Sequence, residues 1–464
     1  MGGCELSSYC VENVIGVTYK RRALCPSFLY YRLLLLLSGR MFFMAIYEVK
    51  GNVNYAAEAF TVSNTVDLEG LDRLVGVPWR GFLALVPKGT VKAGEVVVAF
   101  PAGSQISDII ARGNNLYRNA ILNSDPEQTG YLENNRRVKA IRLRGYVSSA
   151  LVLPAEAFGN PEPGTVFDTW NKIEVCRKYV SPQERSKAII APVSKKELVD
   201  AMMFPEHVST EMYLRNQDKI GVHDVLYISQ KLHGCSARFG RLKVDLPDSR
   251  WLRVLKTLRL IPRDYHKTEL RTVAGSRRVI KSGGEEKKVE NHFYDSDIWT
   301  EVAQAYEDRI PEGVIVYGEI VGWVGDKPIQ KDYTYNLPVG EWAFYVYRVN
   351  VGGKYDLSDA GMRAFCRDRD IPVVPLLLVN EGPLYDDQIE SFMDQNFYNT
   401  YIRTQGAAYL QQPVPLCNES PVDEGVVIRI ENVIPSFYKL KGPRFYEHES
   451  VMLDKNVVDV EEEN

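Results

Sequence analysis

Short runs of alternating apolar and polar residues dominate residues 45–160 of the chain. The stretch GFLALVPKGTVKAGEVVVAF (81–100) predicts two strands, with turns at its PKG and AG positions. Residues 136–154 predict two more strands, broken at Gly145. Several short strands with little helix favour a small barrel, and the five-stranded OB barrel is one such fold.

From about residue 220 onward, strand and helix patterns are mixed. They do not alternate regularly, so we expect an α+β fold of mainly antiparallel sheets flanked by helices. Strands are predicted at 224–231, 236–245, 314–322, 342–349 and 425–431. Helices are predicted at 248–260, 296–308, 357–368 and 385–402.

A chain of 464 residues is too long for one ordinary core, so we expect more than one domain. The predicted parts are a leader (1–44, disordered or a mis-assigned start), an OB-like barrel (45–165), a connector (166–215), a main domain (216–450) and an acidic, disordered tail (451–464). The apolar run Leu33–Leu37 in the leader is too short to span a bilayer. A helix is expected near 195–203 in the Pro-rich region before the main domain.

Charge and cysteine content narrow the function classes. The net charge of −4 does not indicate a nucleic-acid partner, so any site for a polyanion must be a local basic surface. The seven cysteines are odd in number and form no CxxC pair, which favours reduced thiols over disulfides or a zinc site. We therefore predict a cytoplasmic protein with no membrane partner.

Two basic patterns are candidates for such a surface. Arg136, Arg142 and Arg144 share one parity, so on a strand they would line one face, either solvated or facing RNA. A second run could form one basic face on a predicted helix, again solvated or tracking phosphates. Its members are Arg250, Arg253, Lys256, Arg259, Arg263, Lys267 and Arg271.

Five stretches after residue 220 carry the candidate chemistry. They are KLHG, VYGEIVGW, WAFYVYRVN, DEGVVIRIE and FYKLKGPRFY, which contain Lys231, Glu319, Tyr347, Glu424, and Lys439 with Lys441. A lysine nucleophile needs a lowered pKa, supplied by nearby cations or by desolvation. Two lysines on one strand face are costly unless they face an anion such as a phosphate. Glutamates in apolar strands need a lysine, a metal or ribose hydroxyls as partners. Together these residue types predict a site for metal-assisted phosphoryl transfer.

The stretches follow the order of motifs I, III, IIIa, IV and V of the covalent nucleotidyltransferases, which include RNA ligases, DNA ligases and mRNA capping enzymes. The sequence most resembles ATP-dependent RNA ligases of the Naegleria type, which place an OB domain before the ligase (ATP-grasp-like nucleotidyltransferase) domain. The resemblance implies ATP and a divalent metal, Mg²⁺ or Mn²⁺, as cofactors. It implies RNA with 3′-hydroxyl and 5′-phosphate ends as the partner, including ends in a nicked duplex, and a monomeric enzyme.

The resemblance also implies residue roles. Lys231 would attack the α-phosphate of ATP, carry AMP, and pass it to an RNA 5′-phosphate before the 3′-hydroxyl seals the strand. Glu319 would bind the ribose, and Tyr347 would stack on adenine. Glu424 would support the nucleophile and the metal. The residues implied to contact the AMP phosphate are Lys439 and Lys441.

Four further positions belong to the predicted nucleotide site. His233 and Gly234 complete the KxHG motif, where His233 either coordinates metal or, as we favour, stabilises the turn. An arginine after motif I usually reaches the phosphate or the RNA end, and Arg277 is favoured over Arg238 for that role.

Two positions depart from the family pattern. Gln230 precedes the nucleophile where many relatives have glutamate. Arg348 follows the aromatic residue where the phage type has aspartate, and it is expected to form a salt bridge. The alternatives are a capping guanylyltransferase, a DNA ligase and a catalytically inactive nucleic-acid-binding protein. The first two usually place an OB domain after the core, and too few residues follow Tyr446 for one.

Overall fold

The computed structural model describes residues 45–182, 199, 202–282, 296–393 and 422–455. Contacts divide the chain into Met1–Ile46 and one compact unit, Tyr47–Asn464, and the elements below belong to the second. The predicted leader, almost all of the helix predicted at 195–203 and the second half of the helix predicted at 385–402 lie outside the described residues. Within the described ranges, none of the helices combines the length and the apolar composition needed to cross a bilayer.

Residues 47–178 fold into small antiparallel sheets. Their strands are β1 (Tyr47–Glu48), β2 (Ala57–Thr61), β3 (Val66–Asp67), β4 (Leu74–Trp79), β5 (Phe82–Pro87), β6 (Val96–Pro101), β7 (Ser104–Ile106), β8 (Ile141–Leu143), β9 (Tyr146–Ser148), β10 (Ala150–Pro154), β11 (Val166–Phe167), β12 (Thr169–Trp170), β13 (Ile173–Glu174) and β14 (Cys176–Lys178). The sheet orders are β1-β12-β13, β10-β6-β2-β11, β14-β7, β3-β4-β5 and β8-β9. A short helix, α1 (Asp108–Gly113), lies between β7 and β8.

No sheet among the described residues closes on itself, so the predicted OB barrel is not confirmed. The sequence pattern could not predict the sheet arrangement, because strands in this region pair with strands that are far away in the sequence. Strand β2 pairs with β11 more than a hundred residues later, and hydrophobic alternation carries no information about such partners.

The predicted arginine strip on a strand is wrong. Only Arg142 lies in a strand, β8, because Arg136 and Arg144 have φ angles of 58° and 48° and sit in turns. Arg142 is also paired, with its Nε 2.9 Å from Glu447 Oε1. It is therefore part of an internal contact and does not form an exposed basic strip.

Residues 211–455 contain two larger sheets. The five-stranded sheet has the order β15-β26-β25-β16-β24 and is antiparallel except for the parallel pair β15–β26. Its strands are β15 (Glu211–Met212), β16 (Val225–Gln230), β24 (Leu376–Glu381), β25 (Gly425–Ile430) and β26 (Ser436–Lys441). The seven-stranded sheet has the order β19-β18-β17-β20-β22-β23, with β21 added beside β20. Its strands are β17 (Cys235–Asp245), β18 (Thr268–Gly275), β19 (Ile280–Ser282), β20 (Val314–Val324), β21 (Lys327–Pro328), β22 (Trp342–Val351) and β23 (Tyr355–Asp356).

Helices flank these sheets, and the prediction of an α+β fold with antiparallel sheets is confirmed. They are α2 (Arg250–Thr257), α3 (Ile298–Tyr306), α4 (Asp359–Arg367), α5 (Asp386–Met393) and α6 (Pro443–Asp454). Single turns of 3₁₀ helix occur at Val53–Tyr55, Ala120–Leu122, Ala155–Phe158, Tyr213–Arg215, Gln217–Lys219 and Glu307–Arg309. The predicted strands and helices after residue 220 are all present, shifted by at most three residues at the ends that the structure describes.

Strand β20 explains why a long apolar run is a strand here. Val316 and Ile320 pack into the core under α3 and α4, whereas Ile315 and Tyr317 pack on the opposite face with Phe204. A strand covered on both faces is apolar at nearly every position. Glu319 shares its parity with Ile315 and Tyr317, so the carboxylate interrupts that second face.

Helix α6 joins the N-terminal sheets to the five-stranded sheet. Its Ser450 accepts hydrogen bonds at Oγ from the Ala140 amide (3.0 Å) and at its carbonyl oxygen from Arg137 (3.0 Å), while Asp454 pairs with Arg137. On the same helix, Glu449 Oε1 lies 3.0 Å from Lys441 Nζ. The helix thus contacts both the N-terminal region and a strand that leads to the candidate site.

Candidate active site

The segment Lys231–Gly234 carries the chain from the five-stranded sheet to the seven-stranded sheet. Its backbone is held at three points. The Lys231 amide donates to the Gly425 carbonyl (2.9 Å), and the His233 amide donates to the Tyr335 hydroxyl (2.6 Å). A Cβ at Gly234 would lie 2.2 Å from a backbone oxygen of β20, so only glycine allows this approach. The lysine side chain is thereby fixed between the two sheets.

A buried carboxylate organises the cations around the lysine. Glu424 Oε1 lies 2.9 Å from Lys231 Nζ and 2.8 Å from Lys441 Nζ, and Glu424 Oε2 lies 3.3 Å from His233 Nδ1. The glutamate side chain is 1% exposed and both lysine side chains are 11% exposed. Burial alone would raise the pKa of Glu424, but Lys231, Lys441 and His233 outweigh burial and hold that pKa well below its usual value. The carboxylate is therefore ionised at neutral pH.

The two lysines of β26 occupy one side of the strand. Leu440 packs into the core on the opposite side, so Phe437, Lys439 and Lys441 share the other face. Phe437 lines the cavity described below, and Lys439 lies opposite Val427, which also lines it. The two lysine side chains therefore leave β26 on the same face, and Lys441 reaches Glu424 directly.

Glu319 is hydrogen-bonded to the segment Lys231–Gly234. Its carboxylate accepts hydrogen bonds from the Gly234 amide (3.2 Å) and from Ser236 Oγ (3.3 Å). Gln330 Nε2 supports the same loop by donating to the Gly234 carbonyl at 3.0 Å. Glu319 is 5% exposed and lies at the wall of the cavity that Lys231 also lines.

A cavity of about 920 Å³, including its open mouth, lies beside Lys231. Of the residues predicted from sequence, Lys231, Glu319, Tyr347 and Arg277 line it. The structure therefore brings together the predicted nucleophile, ribose ligand, stacking aromatic and favoured arginine.

Arg238, the second arginine candidate, is in a different position. It is 2% exposed, and its guanidinium lies 4.6 Å from the centre of the Phe204 ring. Its Nη2 lies 3.4 Å from the Arg278 carbonyl. Arg238 supports the sheet behind the cavity, whereas Arg277 lines the cavity itself.

The structure shows the contacts of the two residues that depart from the family pattern, Arg348 and Gln230. Arg348 forms the predicted salt bridge, with its Nε 2.8 Å from Asp356 Oδ1, and its guanidinium covers the Tyr317 ring at 4.3 Å. Gln230 is buried and lines the cavity, and its Oε1 has no hydrogen-bond partner within the described part of the chain.

Sequence reasoning missed His207, which comes from the segment before β15. Its Nδ1 lies 2.7 Å from the Tyr347 hydroxyl, and its ring meets Tyr317 edge-on at 5.1 Å. Burial, followed by the charges of Arg238, Arg277 and Arg348, holds the pKa of His207 well below its usual value, so the ring is neutral at pH 7. A single histidine in an irregular segment has no pattern that would reveal this contact.

The described residues offer carboxylates but not a complete metal shell. Among the residues that the structure describes, no group of three or more His, Cys, Asp or Glu side chains is placed to hold a metal ion. Magnesium keeps several waters and commonly binds through one or two carboxylates together with substrate phosphates. Both oxygens of Glu424 lie within 3.3 Å of a nitrogen of Lys231, Lys441 or His233, so a role of Glu424 in holding a metal stays a prediction.

Comparisons with known proteins agree with this geometry. Residues 224–441 match the family model named RNA ligase. No curated protein sequence matches the chain significantly. The fold is similar to solved structures of Naegleria gruberi RNA ligase. One is a lysine-to-methionine mutant with AMP and manganese (TM-score 0.53, 15% identity, 84% of this chain and 98% of that chain). A second contains pyrophosphate (TM-score 0.51, 16% identity, 86% and 99%). A third is a glutamate-to-alanine mutant with ATP and manganese (TM-score 0.52, 15% identity, 85% and 99%).

The fold is similar to that of a solved RNA ligase, and the site places a buried lysine–carboxylate cluster at the wall of a cavity. Residues 224–441, which supply most of the cavity lining, match the RNA ligase family model. The described chain shares its fold with the Naegleria enzyme over most of both lengths.

Proposed function

We propose that this protein is an ATP-dependent RNA ligase that joins 3′-hydroxyl and 5′-phosphate ends through an AMP adduct on Lys231. One observation carries the proposal. The Lys231 ammonium group is held 2.9 Å from a buried carboxylate, at the wall of a cavity that also contains Glu319 and Tyr347. The motif order and the match to the RNA ligase family support the same reaction.

In the first step, the Lys231 nitrogen bonds to the α-phosphorus of ATP, the bond to the bridging oxygen breaks and pyrophosphate leaves. The ammonium must first lose a proton to solvent. Glu424 favours the charged ammonium, whereas the second ammonium group at Lys441 favours the neutral amine by like-charge repulsion. Glu424 holds the nitrogen in place, and Lys439 with Lys441 faces the negative charge on the phosphate. A bound divalent metal would neutralise triphosphate charge at this point.

Nucleoside recognition uses the cavity. Glu319 would accept hydrogen bonds from the ribose hydroxyls, and Tyr347 would stack on adenine. Arg277 would contact the phosphate or the RNA end. In the later steps an RNA 5′-phosphate oxygen takes the AMP from Lys231, and the RNA 3′-hydroxyl then attacks the 5′-phosphorus and releases AMP.

The finer properties are proposals as well. We propose a monomeric, cytoplasmic enzyme whose substrates include ends held in a nicked duplex. We also propose that the β-rich region before the ligase domain serves as an OB-like nucleic-acid-binding module. The antiparallel sheet β10-β6-β2-β11 supports this last proposal as its largest structural unit.

The experiment is incubation of the purified protein with α-labelled ATP or GTP and Mg²⁺ or Mn²⁺, followed by mass spectrometry. We expect label from ATP alone, and a mass increase of one AMP on Lys231. Lys231→Ala should take no label, whereas Lys243→Ala, which removes an exposed lysine of β17 paired with Glu312, should label normally. Label from GTP would instead indicate a capping enzyme, and no label would indicate a binding protein.

Strand joining is tested with the adenylylated protein. RNA with a 3′-hydroxyl and a 5′-phosphate should be sealed, and RNA with a 5′-hydroxyl should not. Nicked DNA in parallel distinguishes the DNA ligase alternative, because preferential sealing of DNA would overturn the RNA assignment.

A further inference from the structure

An unusually long connection joins strands β17 and β18. Residues 246–267, called the arm here, link two strands that pair antiparallel up to Asp245 and Thr268. Hairpin loops commonly have about two to five residues, and loops several times longer are usually functional. The arm contains helix α2, and none of its residues is buried. The arm therefore contributes little to the core, and its sequence is free to serve a surface role.

The outward face of α2 combines cations with an aromatic ring. Arg250, Arg253 and Val254 follow helical spacing along the exposed side, and Trp251 beside them is 79% exposed. Lys256 differs, because its Nζ lies 2.7 Å from Asp248 on the inner side.

The prediction that the whole basic run forms one helix face is wrong in part. Only Arg250, Arg253 and Lys256 lie on α2, and Arg271 lies on β18, paired with Glu269.

The rest of the arm extends the same surface. Its exposed cations beyond α2 are Arg259, Arg263 and Lys267, and a second aromatic ring, Tyr265, is 51% exposed. Asp264 is the one exposed acidic residue within the arm. The arm is thus strongly positive in a chain whose net charge is −4. Such a local excess of positive charge is complementary to a polyanion.

The arm is directly connected to the cavity. Strand β17 starts beside the Lys231 loop and β18 leads towards Arg277, which lines the cavity. Nine residues separate Ser236, which lines the cavity, from Asp245 along β17, which is roughly 30 Å of strand at 3.3 Å per residue. A polynucleotide whose end lies at Lys231 could therefore reach the arm with the nucleotides that flank the joint.

We propose that the arm binds unpaired nucleotides of the RNA substrate close to the ends being joined, an inference that rests on the proposed ligase function. The arginines contact phosphates, and Trp251 and Tyr265 stack on bases. Stacking requires bases that are not already stacked in a duplex, so the arm recognises single-stranded RNA and not a continuous helix. The charge favours RNA over an apolar protein partner, whose interface core would be depleted of charge.

The test measures binding of single-stranded RNA of fixed length to the full chain by fluorescence anisotropy across a salt series. Trp251→Ala should weaken binding between about 5-fold and 150-fold, the range for loss of one base–aromatic stack. Replacing Arg250, Arg253 and Arg259 together by alanine should weaken binding and reduce the salt slope by about 2, or about 0.7 per phosphate contact. Matched controls are Tyr355→Ala and Arg367→Ala, each removing a side chain of similar exposure outside the arm, and these should bind normally.

A deletion variant makes the test independent of single side chains. The Leu246 amide donates to the Lys267 carbonyl at 2.7 Å, so an Asn-Gly turn can replace residues 247–266 and close the hairpin. This variant should still acquire AMP on Lys231 and should lose affinity for single-stranded RNA, with a smaller loss for a fully paired duplex.

The outcomes separate the two proposals. Wild-type protein that takes no label from ATP overturns the ligase function. Normal labelling combined with unchanged RNA affinity and salt slope in the arm variants overturns the arm proposal alone. Equal losses of affinity for single-stranded and duplex RNA would also overturn the arm proposal. If the arm variants changed the oligomeric state and not RNA binding, the arm would be a protein interface and the proposal would be wrong.

Discussion

Replacing Glu424 by glutamine tests the charge cluster most directly. The substitution keeps the side-chain size and removes the negative charge that Lys231 and Lys441 share. Both ammonium groups contact the same oxygen, at 2.9 and 2.8 Å, so their separation cannot exceed the sum of these distances, about 5.7 Å. With an effective dielectric constant of about 20, two like charges at that distance repel by about 3 kcal/mol.

We expect Glu424→Gln to lower the free energy of unfolding by about 3–5 kcal/mol at pH 7, as is usual when one member of a buried ion pair is removed. The assay is urea-induced unfolding followed by tryptophan fluorescence. Adding Lys441→Met to Glu424→Gln should recover part of the loss, because one of the two uncompensated cations is gone.

The pH dependence follows from the lowered pKa of Glu424. A carboxylate whose pKa is lower in the folded state stabilises the fold above its unfolded pKa, and this contribution is lost as the pH falls towards the folded-state value. The stability difference between wild type and Glu424→Gln should therefore be constant from pH 7 to pH 5. It should shrink as the pH falls below about 4.3, the pKa of an unperturbed glutamate.

Glu449→Gln is the matched control, because Glu449 contacts the same Lys441 at 3.0 Å but is 28% exposed. We expect it to cost less than about 1 kcal/mol, as partly solvated ion pairs do. If Glu424→Gln were as stable as wild type at pH 7, or if Lys441→Met deepened its loss, the electrostatic account of the cluster would be wrong.

Two further perturbations address the cavity and the strand beside it. Tyr347→Phe removes the hydroxyl that meets His207 at 2.7 Å, and we expect the KM for ATP in lysine adenylylation to rise about 5- to 10-fold with an unchanged maximal rate. His207→Asn should give a similar rise, and a double variant with additive effects would contradict a shared role. Gly425→Ala should lower the free energy of unfolding by more than about 2 kcal/mol, because Gly425 has φ +135° and its Cβ would lie 2.0 Å from the Leu440 carbonyl oxygen. Gly94→Ala, at φ +87° but with nothing within 4 Å of the added Cβ, should cost only the backbone strain, about 1–2 kcal/mol, and equal losses for the two glycines would refute the steric argument.

The ligase half was predictable because its strands are long, apolar and interrupted at chemically informative positions. Glu319 and Glu424 stood out as carboxylates in or beside apolar strands, and both are buried next to Lys231. The resemblance to RNA ligases, based on five ordered motifs, is confirmed by the family match and the shared fold. The individual roles of these residues stay predictions.

What the sequence did not reveal depends on contacts between distant segments. The N-terminal strands are short and pair across long separations, so alternation showed that strands exist but not how they are arranged. His207 reaches Tyr347 from 140 residues away, and no local pattern marks that pairing. For the arm, the sequence showed the positive charges. It did not show that the segment carrying them is a long connection between β17 and β18.

Helix α6 has a practical consequence for dividing the chain. A truncated protein that begins at the ligase segment would leave Ser450 and Asp454 without Arg137, and Glu447 without Arg142. The helix freed in this way also carries the glutamate that steadies Lys441. Removing the N-terminal sheets would therefore weaken the support of the Lys231–Glu424–Lys441 cluster, so the two regions are best expressed as a single polypeptide.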